Sequence, residues 1–166
     1  MEVTIKNIKF YESMSDETNC FQCDVYVDGK KCGYGRNDGR GGSTNVQPYL
    51  EKRFEFNECN TWLKNQPQIN IGTIDDPYLI DCDLESTVDN LFEKWLEEKE
   101  KKKLEKKMVD RIMWGVPNGY SYTEVKFKKP INQIEHNILQ RFLDKYKLTF
   151  KEGETFLNTN LEGFNL

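Results

Sequence analysis

One histidine, His136, is all the imidazole this 166-residue chain contains. That scarcity confines any Ser–His or Cys–His catalytic pair to combinations built on His136, and no serine or cysteine sits in a motif that points to it. Its place at the edge of an apolar helical stripe suits a structural role. Apolar runs are short: nothing approaches the ~18 consecutive apolar residues of a membrane span. The opening residues, MEVTIKNIKF, alternate like a strand instead of forming a charged and then apolar leader. The expectation is a soluble, cytoplasmic protein without membrane association. Cysteines number five, an odd count that reads as reduced thiols. Cys20, Cys23 and Cys32 look like the start of a zinc site, but a strand over residues 20–27 sends Cys20 and Cys23 to opposite faces, and no second close cysteine pair exists. No metal site is assigned.

Aromatic bulk and charge are what the chain does have. Apolar residues make up only 37% against 31% charged, but ten Phe, eight Tyr and three Trp supply large burial per residue, so the core is expected to be aromatic-rich. The formal net charge of −4 argues against a general affinity for nucleic acid, which clustered Lys and Arg would drive, and leaves room for a local basic site.

Val3, Ile5, Ile8 and Phe10 alternate with one slip, which predicts a strand with a bulge or bend. CFQCDVYV and KKCGYG then flank Asp28-Gly29, a strong signal for a hairpin closed by a type I′ turn. Counting register from that turn sets Val27 opposite Lys30, Val25 opposite Cys32, Cys23 opposite Tyr34 and Phe21 opposite Arg36. The core face would then hold Phe21, Cys23, Val25, Val27, Cys32 and Tyr34. On the other face Gln22 would pair with Gly35 and Asp24 with Gly33, leaving bare positions that suit either a twist or the close approach of a ligand. The same count puts the loops SMSDETN and NDGRGGSTN side by side at the open end of the hairpin. Asp16 and Glu17 are expected within ion-pairing reach of Arg36 or Arg40.

After Pro48, Leu50, Phe54, Cys59, Trp62 and Leu63 form an imperfect helical stripe that Pro67 ends. Residues 68–81 read as irregular or as a short strand. Leu84, Val88, Leu91, Phe92, Trp95 and Leu96 predict a helix capped by Asp83 or Ser86, running on through EEKEKKKLEKKM to residue 108. Its charged part is either a solvated face laced with Glu–Lys pairs or a contact surface, packed or protruding. RIMWGV and YSYTEVKF flank Pro117-Asn118-Gly119 as a second hairpin. Ile131, Ile134, Ile138, Leu139, Phe142 and Tyr146 mark a C-terminal helix, and LTFKEGETFL has the makings of a short strand. The fold class is α+β: an N-terminal antiparallel hairpin sheet, a central long charged amphipathic helix, a second hairpin and a C-terminal helix. A single domain over residues 1–157 is expected, with 158–166 a loose tail.

Known phosphate motifs fail on the glycine-rich segment RNDGRGGSTN, residues 36–45. A P-loop needs Gly-Lys-Ser or Gly-Lys-Thr opening a helix, and a dinucleotide loop needs a βαβ setting. Here the segment follows a hairpin strand, lacks the lysine, and NVQPY separates it from the next helix. No cofactor is implied. A glycine-rich turn can still present an anion-binding nest, and Arg36, Arg40, Ser43 and Thr44 offer donors of the kind a phosphate takes. A long hairpin-end loop is the alternative. The candidate partner or ligand surface is Asp16, Glu17, Arg36, Asn37, Asp38, Gly39, Arg40, Gly41, Gly42, Ser43 and Thr44. Acidic pairs such as Asp75-Asp76 and Asp81 with Asp83 suit caps and turns, and no catalytic residue is assigned.

The run DETNCFQCDVYVDGKKCGYGRNDGRGGSTN, with the later LFEKWLEEKEKKKLEKKM and RIMWGVPNGYSYTEVKF, resembles a widespread set of small bacteriophage proteins. Their signature is Glu-Thr-Asn-Cys-Phe, then Val-Asp-Gly-Lys-Lys, then Asn-Asp-Gly-x-Gly-Gly. In that set the residue after Asn-Asp-Gly is often histidine, where this chain has Arg40, so no histidine role carries over. The resemblance implies a phage accessory protein in the host bacterial cytoplasm, non-enzymatic, that binds and inhibits a host protein such as a bacterial defence effector. Two other readings stand beside it. One is a module sequestering a small nucleotide, with Arg36, Arg40, Ser43 and Thr44 on phosphate and Tyr34 on the base. The other is a nucleic-acid-binding accessory protein using KEKKKLEKK.

Overall fold

The structure, a computed structural model, describes every residue except Ile71, Ile74, Asn118 and Tyr120. Contacts divide the α+β chain into two compact units, Met1–Leu96 and Glu97–Leu166, where the sequence suggests one domain. Composition supplies the reason. Leu104 is the only apolar residue among positions 97–107, so neither hydrophobic cluster extends through that stretch.

The first unit is built on four antiparallel strands in chain order, β1 (Val3–Phe10), β2 (Cys20–Val27), β3 (Lys30–Asp38) and β4 (Asn45–Pro48). β1 carries the expected irregularity between Lys6 and Lys9, where Asn7 takes φ +53°. Asp28 and Gly29 have φ +48° and +76°, the two positive values a type I′ turn requires. β4 lies in NVQPY, which reads in the sequence as a connector; its Val46 is buried between exposed Asn45 and Gln47, a period of two too short to stand out. After a 3-10 turn at Leu50–Lys52 comes α1 (Arg53–Lys64), then the small hairpin β5 (Ile69–Asn70) and β6 (Leu79–Ile80).

The register of β2 on β3 departs from the uniform count. Val27 pairs Lys30 and Tyr26 pairs Lys31, but Val25 then pairs Gly33, so Cys32 is an extra residue, a bulge. From there every β3 residue changes face. Tyr34 is turned out to solvent, while Gly35 lies inward under Val88 and opposite Cys23. Close packing explains both glycines. A Cβ on Gly35 would come within 3.1 Å of Val88 Cγ1 and Cys23 Sγ, and one on Gly33 would strike the Gln47 carbonyl of β4. They serve backbone and core approach on the inner side, not a bare outer face.

The inner face of the sheet packs on two helices. Phe21, Cys23, Val25, Val27, Cys32 and Val46 meet Phe56, Cys59 and Leu63 of α1 and Leu84, Val88 and Phe92 of α2 (Leu84–Met108), with Phe21 stacked on Phe92 at 3.8 Å. α1 is rotated relative to its expected stripe. Phe56 is buried, whereas Leu50 and Phe54 are exposed. α2 begins on a reciprocal cap: Asp83 Oδ1 accepts from the Ser86 amide (2.8 Å) and Ser86 Oγ accepts from the Asp83 amide (3.0 Å), so both capping candidates act together.

The second unit holds β7 (Arg111–Gly115) between β8 (Tyr122–Lys126) and β9 (Thr155–Phe156), all antiparallel, with α3 (His136–Lys147). Asn118 of the turn signal lies outside the described residues. Its core is Ile112, Trp114, Ile131, Leu139, Leu143, Phe156 and Leu161. α3 starts later than its stripe suggests, because Ile131–Gln133 is a separate 3-10 turn; Ile138 is exposed and Leu143 buried. Residues 158–166 are docked rather than loose. Asn158 Oδ1 accepts from the Met113 amide (2.7 Å), its Nδ2 donates to the Arg111 carbonyl (2.8 Å), and Leu161 is buried. Glu98 and Lys102 form one of the expected i,i+4 pairs at 3.6 Å. No helix among the described residues is long and apolar enough to cross a membrane.

Candidate functional site

The glycine-rich segment is fastened from beneath by one buried amide. With the bulge reversing the faces of β3, Asn37 points inward, and its side chain uses its full hydrogen-bonding capacity. Oδ1 accepts from Thr18 Oγ1 (2.8 Å) and from the Gly39 amide (2.9 Å). Nδ2 donates to the Gly42 carbonyl (3.0 Å) and to Thr44 Oγ1 (3.1 Å). The fully buried Thr44 hydroxyl in turn donates to Asp89 Oδ1 on α2. Desolvation by burial raises the Asp89 carboxyl above its ordinary range, with the Thr44 hydrogen bond opposing and Glu93 and Asp83 adding to the rise.

The neighbouring loop closes on the same hub. The Gly39 carbonyl accepts from the amides of Asp16 (2.9 Å), Glu17 (3.1 Å) and Thr18 (3.4 Å), and the Gly41 amide donates to Thr18 Oγ1 (3.3 Å). Gly39 and Gly41 take φ +80° and +81°, and a Cβ on Gly39 would strike the Met14 carbonyl. The adjacency of the two loops, read from the hairpin, is present in the structure. Among the described residues the expected ion pairs of Asp16 and Glu17 with Arg36 or Arg40 do not form. Arg36 pairs instead with Asp38, Nε and Nη2 each at 2.7 Å from Oδ1, and Arg40 has no ion pair among the described residues.

Outside the hub, the register lays the solvent face of the sheet out in rows. Lys9, Gln22, Arg36 and Asn45 form one row across the four strands, and Lys6, Asp24, Tyr34 and Gln47 the next. Lys6 lies over the Tyr26 ring at 4.6 Å. Burial alone would raise the Asp24 carboxyl, but the Asn7 amide at 2.7 Å and the Lys31 ammonium at 3.0 Å outweigh it and hold it below its ordinary range. Open depressions of about 680, 450, 430 and 410 Å³ lie at this face and its loop end, each lined by Arg36, Arg40 or both. The largest also takes in Tyr34, Ser43, Asn45 and Gln47.

The sequence-selected residues therefore separate into two groups. Asn37, Gly39 and Thr44 are buried supports, while Asp16, Glu17, Arg36, Asp38, Arg40, Gly41, Gly42 and Ser43 are exposed. The amides of Gly39 and Gly41 and the Thr44 hydroxyl, donors that a phosphate nest would use, are already engaged by Asn37, by Thr18 of the neighbouring loop and by Asp89 of α2. Sequence reasoning missed Asn45 and Gln47, whose signal was the short alternation around Val46, and placed Tyr34 on the wrong face for lack of any sign of the bulge. Burial raises the Cys23 thiol to about 11, against the Gly35 amide that lowers it, and raises Cys59 to about 11 as well, so neither is poised as a nucleophile. His136 stacks on Phe164 at 4.3 Å in the second unit.

Fold and site together describe an α+β chain whose four-stranded sheet is covered by helices on one side and open, polar and aromatic on the other. Comparison with family models, with curated proteins and with solved structures gave no match in any of the three.

Proposed function

We propose that the protein is a non-enzymatic binding module that engages a protein partner through the outer face of its sheet and the adjoining loop end. The observation that carries this reading is the convergence of four open depressions on Arg36 and Arg40, above a loop held rigid by Asn37 and Thr44. A preorganised polar surface with an exposed aromatic ring loses little entropy on association, and Tyr and Arg are the side chains enriched at binding hot spots. With the Gly39 and Gly41 amides and the Thr44 hydroxyl already bonded to Asn37, Thr18 and Asp89, fewer donors are left for a phosphate, which favours a broad partner over a phosphate-bearing small ligand. The resemblance to small phage proteins supports a bacterial defence protein as that partner, with inhibition as the outcome.

The test is affinity capture from bacterial host lysate with the wild-type chain and with a Tyr34→Ala, Arg36→Glu, Arg40→Glu variant, whose changes are all at exposed positions. One dominant protein held by the wild type and lost by the variant is the expected result. Equal retention by both counts against this face. A thermal shift with mono-, di- or cyclic nucleotides that vanishes in the variant would instead favour the sequestering reading.

A further inference from the structure

The exposed side of α1 carries an observation independent of the outer sheet face. Leu50 and Phe54, whose spacing marks them for the core, are each 79% exposed, and Trp62 is exposed on the same helix. At about 100° per residue, Phe54, Asn57 and Thr61 run down the middle of the solvent side, with Leu50 one turn ahead in the preceding 3-10 turn. One flank of this stripe is basic, with exposed Arg53 and Lys64. The opposite flank is acidic and aromatic, with exposed Glu58 and Trp62 and with Glu55, which Lys52 already pairs at 2.8 Å.

We propose that this side of α1 is a self-association surface whose occupant is the same helix of a second copy of the chain, packed parallel about a twofold axis. Charge decides both the occupant and the direction. In a parallel twofold pair the basic flank of each helix meets the acidic flank of the other, and Arg53 lies five residues ahead of Glu58, the offset at which flanking charges pair across parallel helices. Symmetry forms that pair twice. An antiparallel twofold pair would put acidic flank on acidic flank and basic on basic, which is repulsive along both edges. Leu50 and Phe54 then cover one another between the charged flanks. A twelve-residue helix is about 18 Å long and roughly 10 Å wide, a footprint far below the ~800 Å² per partner of a standard stable complex, so the dimer forms with rising concentration and separates on dilution.

Sedimentation equilibrium across a wide concentration range tests this, with circular dichroism confirming that every variant is folded. The apparent mass of the wild type rises from one copy toward two. Phe54→Glu holds it at one copy. Arg53→Glu alone or Glu58→Arg alone weakens association on the order of tenfold, since each reversal repeats across the twofold axis. The double variant Arg53→Glu, Glu58→Arg exchanges the flanks and restores it. A mass of one copy at every concentration overturns the proposal, as does association indifferent to Phe54→Glu. Single reversals without effect, or a double variant no better than the singles, overturn the parallel pairing.

Discussion

Replacing Asn37 with leucine, a near-isostere without hydrogen-bonding groups, asks whether the glycine-rich loop is a built platform or an ordinary turn. Four hydrogen bonds of 2.8–3.1 Å disappear. Thr18 is half-buried and Gly42 exposed, so water replaces Asn37 at those two groups and little is lost there. The Gly39 amide and the Thr44 hydroxyl are buried and find no substitute. Leaving the amide unpaired costs about 2 kcal/mol, and leaving the hydroxyl, which still donates to Asp89, with one empty acceptor site costs about 1 kcal/mol. The expected loss is about 3 kcal/mol, a large share of the total stability of a domain this size. Urea unfolding measures it as a midpoint shift at unchanged slope, and hydrogen exchange at β2 core amides assigns it to the first unit. A loss under about 1 kcal/mol would refute the hub and leave the loop a solvated turn.

Three further outcomes follow from the same geometry. Gly39→Ala, at φ +80° with its Cβ against the Met14 carbonyl, should cost about 2 kcal/mol or more in thermal or urea unfolding, while Gly42→Ala, with open space around it, should cost almost nothing; equal effects would contradict a rigid loop. The raised Asp89 carboxyl binds its proton more readily folded than unfolded, so the wild type gains stability as pH falls from neutral through its folded pKa. Asp89→Asn, which keeps an acceptor for Thr44, should therefore be stabilising at neutral pH by an amount that shrinks on acidification, and parallel stability–pH curves would count against it. Asn158→Leu removes the partners of the Met113 amide and the Arg111 carbonyl and should destabilise the second unit by about 2 kcal/mol, measured by exchange at β7 amides; no change would mean that the C-terminal residues do not dock.

The fold was legible wherever local chemistry is decisive. Asp28-Gly29 dictates the hairpin because few other pairs tolerate two positive φ values, and Leu84, Val88 and Phe92 repeat at the helical period on one face. The choice of loop was legible too, since Gly39, Gly41 and the residues around them have no place in a strand or helix interior. What escaped was set by neighbours distant in sequence. Phe54 and Phe56 are equally apolar, and only the sheet beneath α1 selects Phe56. Asn158 and Asn160 look like tail residues until β7 and the end of α2 present groups for them to bond.

Sequence alone thus determined the first hairpin, the amphipathic helices, the turn chemistry and a glycine-rich segment beside an acidic loop, but not β4. Tertiary structure decided which side of that segment faces out. One extra residue at Cys32 changes the parity of β3, because side chains alternate with a period of two, and so turns Tyr34 and Arg36 to solvent and Asn37 to the interior. A bulge has no local signature when the residues around it are compatible with either face, and Cys32, Gly33, Tyr34 and Gly35 are. Its parity suits the packing above it, since the Gln47 backbone excludes a Cβ at Gly33, and Val88 and Cys23 crowd one at Gly35.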